Sequence, residues 1–422
     1  MGDSNSPAPR LVTADRKQIQ LRPYDLESIL PPDHRARAVW AIVERLELSA
    51  FYDRIKARGS EPGRSATDPK VLVALWLYAT AEGVGAAREL ERLCGEHRAY
   101  QWLRGGVPVN YHTLSDFRVQ HGAALDELLT QVLAVLLSEK LISLKRVSQD
   151  GLRVRASAGA ESFRRRKRLK DYLKMARRQV EAVKRDAEDA ELTARQRAAA
   201  QRVARQRVER LERALVELGK VETARSQQTG GKKAKSEPRA SMTDPEARKM
   251  RMGDGGFRPG YNVQLATETK SNMIVGVAVT NSGTDQGEAL PMIEQIEKRT
   301  GDRPEEYLVD GGYTGKATVE GASELGVTLY GPVVERWGQD PFAPKLTDSV
   351  ALAEWRKRMG TTQAQEIYRD RAQYSERVNA DVKTQRTLDR MLVRGTNKVL
   401  CVALWNALAY NILRWITLAT SV

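Results

Sequence analysis

Ile142-Ser143-Leu144-Lys145-Arg146-Val147-Ser148-Gln149-Asp150-Gly151-Leu152-Arg153-Val154-Arg155-Ala156 is where the chain changes character. Upstream of Leu141 apolar residues recur every three to four positions; from Ile142 they alternate, the period of a strand. The stretch reads as a β-strand ending near, or passing through, Asp150-Gly151. A strand that opens after a long helical region, with more strands downstream, sets the fold class as mixed α/β.

Strand-like sequence resumes after Asp244-Pro245. Residues 260–267 and 273–280 alternate, and Glu268-Thr269-Lys270-Ser271-Asn272 between them makes a hairpin turn. A helix is expected at about Gly287–Lys298, after which Tyr307-Leu308-Val309 runs into Asp310-Gly311-Gly312-Tyr313. Another helix, a strand at Val327–Tyr330, a proline-rich loop over 331–347 and further helices complete the chain. The order strand, strand, strand, helix, strand, helix, strand, helix predicts a mixed sheet with an insertion after its first strand.

That insertion is a helical tract over 162–222. Leu169, Leu173, Ala176, Val180, Val183, Ala187 and Ala190 form one apolar seam, and Ala200, Ala204, Val208, Leu211, Leu215 and Leu218 a second. Two seams meeting near Thr193 suggest an antiparallel hairpin, one continuous helix being the alternative. Each arm would be roughly 40–45 Å long at 1.5 Å per residue. Lys and Arg outnumber Asp and Glu by 69 to 54, and residues 161–240 alone hold 24 basic and 12 acidic side chains. The excess positive charge, and with it the case for a polyanionic partner, is therefore mostly one segment's property. Its arginine-rich outer face suits a solvated coiled coil or a DNA contact. Gln227 to Arg239 reads as a flexible basic linker.

Residues 1–25 form a polar, proline-dotted leader, and 26–140 an all-helical module. Helices are expected over His34–Leu48, Asp68–Glu82 and Ala86–His97, with Asp68-Pro69 as cap and first turn. Thr113 reads as the cap of a further helix. Helix–turn–helix DNA binding and a plain dimerisation bundle both suit this module. The chain thus divides into a leader (1–25), a DNA-binding or assembly module (26–140) and an α/β domain (141–422) that holds the basic insertion and linker (160–240).

Several classes drop out. Cys94 and Cys401 are the only cysteines, too few and too far apart for a disulfide framework or a zinc knuckle, and they fit a reducing, cytoplasmic setting. The four histidines (34, 97, 112, 121) all precede residue 122, so a metal later in the chain takes oxygen ligands, which favours Mg²⁺ or Mn²⁺. The chain opens without a secretory signal, and the apolar run Val399–Leu418 is broken by Asn406, Asn411 and Arg414, as in a buried helix; no membrane partner is expected. Gly311 to Lys316 has three residues between its glycines where a phosphate loop needs four, which removes an ATPase.

Chemistry would come from carboxylates. Asp150 and Asp310 stand on strands beside glycine, and Glu376 on the basic stretch Tyr368–Lys383, which reads as one helix. Glu376, Asn379 and Lys383 share a face of it, with Arg369 one heptad before the glutamate. Taken alone this is a charge-laced solvent face. Adjacent strands could bring both aspartates to one edge with that helix packed across them. Three converging carboxylates repel unless cations intervene, and two divalent ions some 4 Å apart would resolve the repulsion.

Asp150-Gly151, Tyr307-Leu308-Val309-Asp310-Gly311-Gly312-Tyr313 and Tyr368-x2-Arg371-x4-Glu376-x6-Lys383 together resemble the DDE signature of bacterial insertion-sequence transposases, in the branch with a Tyr-Arg-Glu-Lys glutamate helix. Ala87-Arg88-Glu89-Leu90-Glu91, Thr113 to Arg118, and Gly255-Gly256-Phe257 through Gln264 are similar to the same family. The resemblance implies a ribonuclease-H-like catalytic domain in which Asp150, Asp310 and Glu376 hold two Mg²⁺ (or Mn²⁺) ions. It implies hydrolysis at transposon ends, transfer of the freed 3′-hydroxyl to target DNA, and a homodimer on double-stranded DNA. Tyr368, Arg371, Asn379 and Lys383 would contact DNA. Four residues, not the family's three, separate Arg371 from Glu376, so Arg369 stands beside Arg371 as the candidate arginine. A metal-dependent nuclease without strand transfer and a non-catalytic DNA-binding protein are the alternatives.

Overall fold

The computed structural model describes residues 25–58, 65–185, 193–227, 237–334, 338, 340–369 and 371–419. Residues 1–24 of the leader, Ala187 and Ala190 of the first expected seam, and parts of the basic linker lie outside them.

Among the described residues seven α-helices come first: α1 (Arg35–Arg45), α2 (Ser49–Tyr52), α3 (Pro69–Ala81), α4 (Ala87–Glu96), α5 (Arg98–Arg104), α6 (Tyr111–Gln120) and α7 (Gly122–Ser138). Asp68 caps α3, its carboxylate accepting from the Lys70 N–H with Pro69 at the first turn. The cap of α6 is Asn110 rather than Thr113: the Asn110 side chain accepts from the Thr113 N–H at 2.9 Å. Both residue types cap well, and the one outside the helix wins because its backbone is already extended.

The sheet follows. Its strands are β1 (Arg146–Arg155), β4 (Arg248–Arg251), β5 (Phe257–Glu268), β6 (Ile274–Thr280), β7 (Glu306–Leu308) and β8 (Thr328–Tyr330), while β2 (Phe163–Arg164) and β3 (Ala240–Ser241) form a separate two-stranded pair. β1 passes through Asp150-Gly151 and lies at the centre, antiparallel to β5 and parallel to β7, which in turn runs parallel to β8. β4 and β6 pair with successive halves of β5's other edge. β4 had no alternating signature, since its Arg248-Lys249-Met250-Arg251 buries only Met250.

The remaining helices are α8 (Arg166–Arg185), α9 (Ala194–Ser226), α10 (Ala289–Thr300), α11 (Lys316–Glu324), α12 (Val350–Met359), α13 (Thr362–Arg369), α14 (Arg371–Thr384) and α15 (Thr396–Ala419). α13 and α14 cover the helix expected over Tyr368–Lys383, on either side of residue 370, which lies outside the described residues. α14 covers β1 on one face of the sheet, while α10 seats Met292 and Ile296 against Gly276 of β6 on the other.

α8 and α9 pack antiparallel. Leu169, Leu173 and Ala176 meet Leu211, Ala214 and Leu218 in an apolar cluster of their own, and Arg166 pairs with Glu222 as Arg177 does with Glu212. Thr193 and Gln196 form a capping box at the start of α9. The excursion leaves and re-enters through the β2–β3 pair, where the Ser162 and Ser241 hydroxyls bond at 2.7 Å.

A second, larger core runs unbroken from Leu30 to Trp415. α15 ties it together by packing against α3, α6, α7 and β6. Among the described residues α15 alone is long and apolar enough to cross a membrane, and 78% of its most apolar window is buried in this protein. Its polar interruptions face inward: the Asn411 amide accepts from the Ile274 N–H at 2.8 Å and donates to the Ile274 carbonyl at 2.7 Å. Arg299 of α10 pairs with Asp126 of α7, joining sheet and helical module again.

Candidate active site

Strand alternation assigns the faces. On β1, Ser148 and Asp150 point to the α14 side; Gln149, Gly151 and Arg153 point to the other. The parallel register pairs Ser148 with Leu308, so two residues further on Asp310 comes alongside Asp150 on the same face. Beyond Leu308 the chain turns: the Tyr313 N–H bonds the Asp310 carbonyl at 3.1 Å, and the Gly312 N–H donates to Asp310 Oδ1 at 2.8 Å. A Cβ on residue 312 would lie 3.0 Å from that oxygen, which explains glycine there.

α14 is fixed over the pair by its buried Ser375, whose hydroxyl bonds that of Ser148 at 2.6 Å, and by Val378 and Val382. This seating brings two donors to Asp150. Asn379 Nδ2 donates to Oδ2 at 2.9 Å and Arg371 Nη2 to Oδ1 at 3.3 Å. The Gly151 N–H adds a bond to Oδ1 at 3.0 Å. Burial nevertheless pushes the Asp150 carboxyl up to about 6; Arg371 and the Gly151 N–H oppose the rise, and the charges of Asp310 and Asp285 add to it. Tyr368, half-buried at the end of α13, lies beside Arg371 and feels the charges of Asp310 and Asp150; burial raises its phenol above the ordinary range.

The structure thus gathers Asp150, Asp310, Tyr368, Arg371 and Asn379. It does not bring Glu376 into hydrogen-bond contact with them: that side chain is exposed on α14, three residues before Asn379. Arg369 is exposed and Lys383 half-buried, and the contact to Asp150 is made by Arg371. Among the described residues no group of three His, Cys, Asp or Glu is placed to hold a metal ion. Two neighbouring carboxylates with no nitrogen ligand nearby still suit a hard divalent cation, and the Asp150 carboxyl, raised chiefly by its burial and further by the charge of Asp310, would be relieved by one.

One acid was not singled out from the sequence. Asp285, in the loop after β6, reaches the face opposite Asp150, and a Cβ on Gly151 would fall 2.3 Å from its Oδ1. Its only sequence cue was a polar loop, Asn281-Ser282-Gly283-Thr284-Asp285, which reads as an ordinary turn.

Residues 220–412 match the family model of the transposase DDE domain, and residues 24–120 match the transposase domain DUF772. These domains mark a DNA transposase. The DDE-domain match takes in Asp285, Asp310 and Glu376; Asp150 falls between the two matched regions. The curated proteins and the solved structures compared with the chain gave no match. A mixed α/β sheet behind a helical N-terminal region fits the transposase assignment.

Proposed function

We propose that this transposase cuts DNA at the ends of an insertion sequence and joins the freed 3′ end to target DNA, with a ribonuclease-H-like catalytic domain. The observation that supports the proposal is Asp150 on β1 beneath α14, with Asp310 just past the end of the neighbouring parallel strand β7 and near enough for the two charges to interact. The strand order β6-β5-β1-β7-β8, antiparallel in its first three members and parallel in its last two, supports the fold named here.

In this reading Asp150, Asp310 and Glu376 would hold two Mg²⁺ or Mn²⁺ ions. Such ions supply Lewis-acid polarisation of the phosphate and stabilise charge on the attacking and leaving oxygens. The protein's own groups orient the substrate. Arg371 and Tyr368, beside Asp150, are set to neutralise and hydrogen-bond a phosphate that enters between them, and Arg371 exchanges the carboxylate for that phosphate. Asn379 keeps Asp150 in register with α14 during the exchange. Arg369 and Lys383 bind the flanking backbone, where contacts position DNA without reading its sequence. Water attacks phosphorus, the bond to the 3′-oxygen breaks, and that oxygen leaves as a hydroxyl. The same hydroxyl then attacks a target phosphorus and displaces the target's own 3′-oxygen, so bonds broken and formed balance.

The module over 26–140 and the hairpin are assigned to end recognition and assembly, on double-stranded DNA as a homodimer, in the cytoplasm. A plasmid carrying the element, incubated with Mg²⁺ and resolved into nicked, linear and joined forms, tests the proposal. Joined product supports it; nicks without joining leave a nuclease; no metal-dependent product removes the enzyme.

A further inference from the structure

Asp285 takes no part in the chemistry above, yet it is the most fully bonded acid near it. Only 7% exposed, it accepts from Asn262 Nδ2 at 2.6 Å and Gln264 Nε2 at 2.9 Å on one oxygen, and from Arg153 Nη2 at 3.0 Å on the other. Gln264 Oε1 in turn accepts from Gln149 Nε2 at 2.8 Å and from the Tyr313 hydroxyl at 2.5 Å, and Gln149 Oε1 accepts from the Tyr307 hydroxyl at 2.7 Å. Gln149, Asn262, Gln264, Tyr307 and Tyr313 are all fully buried. The network therefore joins β1, β5 and β7 to the turn that carries Asp310, from beneath the sheet.

Two close approaches place the carboxylate against the backbone that presents the aspartates. Its Oδ1 lies where a side chain on Gly151 would go, directly after Asp150. Its Oδ2 lies 3.5 Å from where a Cβ on Gly312 would stand, two residues after Asp310. Asp285 lies on the face of the sheet opposite Asp150, so it is poorly placed to share a cation with the Asp150–Asp310 pair.

We infer that Asp285 is a positioning residue: from the opposite face of the sheet it locks β1, β5 and the Asp310–Tyr313 turn into one rigid unit, and so sets the spacing of Asp150 and Asp310 for a divalent cation. The inference rests on reading that pair as cation ligands. Asparagine cannot replace the aspartate quietly. All three partners donate, so an amide NH₂ would face a donor, and Gln264 cannot turn over without giving up Gln149 and Tyr313.

The test is Mn²⁺ uptake by the full-length protein, read from loss of the free-ion electron paramagnetic resonance signal well below each variant's melting temperature. D285N is expected to bind Mn²⁺ about 10- to 100-fold more weakly, the usual penalty for losing an outer support of a metal site. Y313F, which deletes one hydroxyl from the same network, should weaken binding in the same direction by less, and it carries the test if D285N does not fold. D310N is the reference for the site itself. D285N or Y313F lowering only the melting temperature, with wild-type Mn²⁺ affinity while D310N has lost it, overturns the inference alone. If the wild type takes up no Mn²⁺, or D310N takes up as much, the inference and the reading beneath it fall together.

Discussion

Asp150 carries a titration that can be followed without any substrate. Its carboxyl ordinarily sits near 3.8 and is raised here to about 6, chiefly by burial. The folded chain therefore holds more protons than the unfolded one between about pH 4 and 6, and stability falls as pH rises through that window. In metal-free buffer, the stability of wild type minus that of D150N should drop by roughly 2–3 kcal/mol from pH 4 to pH 7 and stay level above. Denaturant titrations across that range check it; a flat difference would mean that Asp150 is solvated. Asp150 and Asp310 were legible as candidates because each follows strand-like sequence and precedes a glycine, although Asp310 stands just past the end of β7. Asp285 was not, because its meaning comes from Asn262, Gln264 and Arg153, which only strand register brings to it.

Among the elements, α15 shows best how composition and packing can be told apart. Its asparagines looked like interruptions of an apolar run, and Asn411 instead completes the hydrogen bonding of Ile274 at the start of β6. N411L, although more apolar, should cost roughly 2–4 kcal/mol by orphaning a buried N–H and C=O at once. Urea unfolding measures this, and a neutral or stabilising result would refute the assignment. Helices with strong three-to-four-residue recurrence, such as α3 and the α8–α9 arms, were legible within a few residues. β3 and β4 were not: β3 is two residues long, one of them a serine, and β4 buries only Met250. Nor did helical periodicity over Tyr368–Lys383 show which side chains would face the sheet. Ser375 and Val378 do so, and Glu376, one position from Ser375, is turned to solvent.

At the scale of the whole molecule, the buried apolar side chains fall into two clusters that part at the β2–β3 neck. The hairpin has its own apolar cluster, whereas the N-terminal helices share one core with the sheet through α15. Replacing residues 165–239 by a short linker should leave a cooperatively folding protein. Deleting residues 1–140 should not, because α15 would lose α3, α6 and α7. Calorimetry of both truncations decides between this division and an independent N-terminal domain. Charge reversal at the exposed Arg168, Arg178, Arg202 and Arg205 should weaken DNA affinity and lower the slope of log K against log salt by about 0.9 for each phosphate no longer neutralised. An unchanged slope would leave the hairpin with an assembly role only. The sequence placed its positive charge in this segment correctly, but the sharing of the core was hidden, because apolar periodicity marks a buried face without naming its partner. If Asp150, Asp310 and Glu376 cut DNA together, as proposed, then D150A, D310A and E376A should each lose Mg²⁺-dependent cleavage at the element's ends while binding those ends as the wild type does. Near-wild-type cleavage by any one of the three would remove that residue from the site.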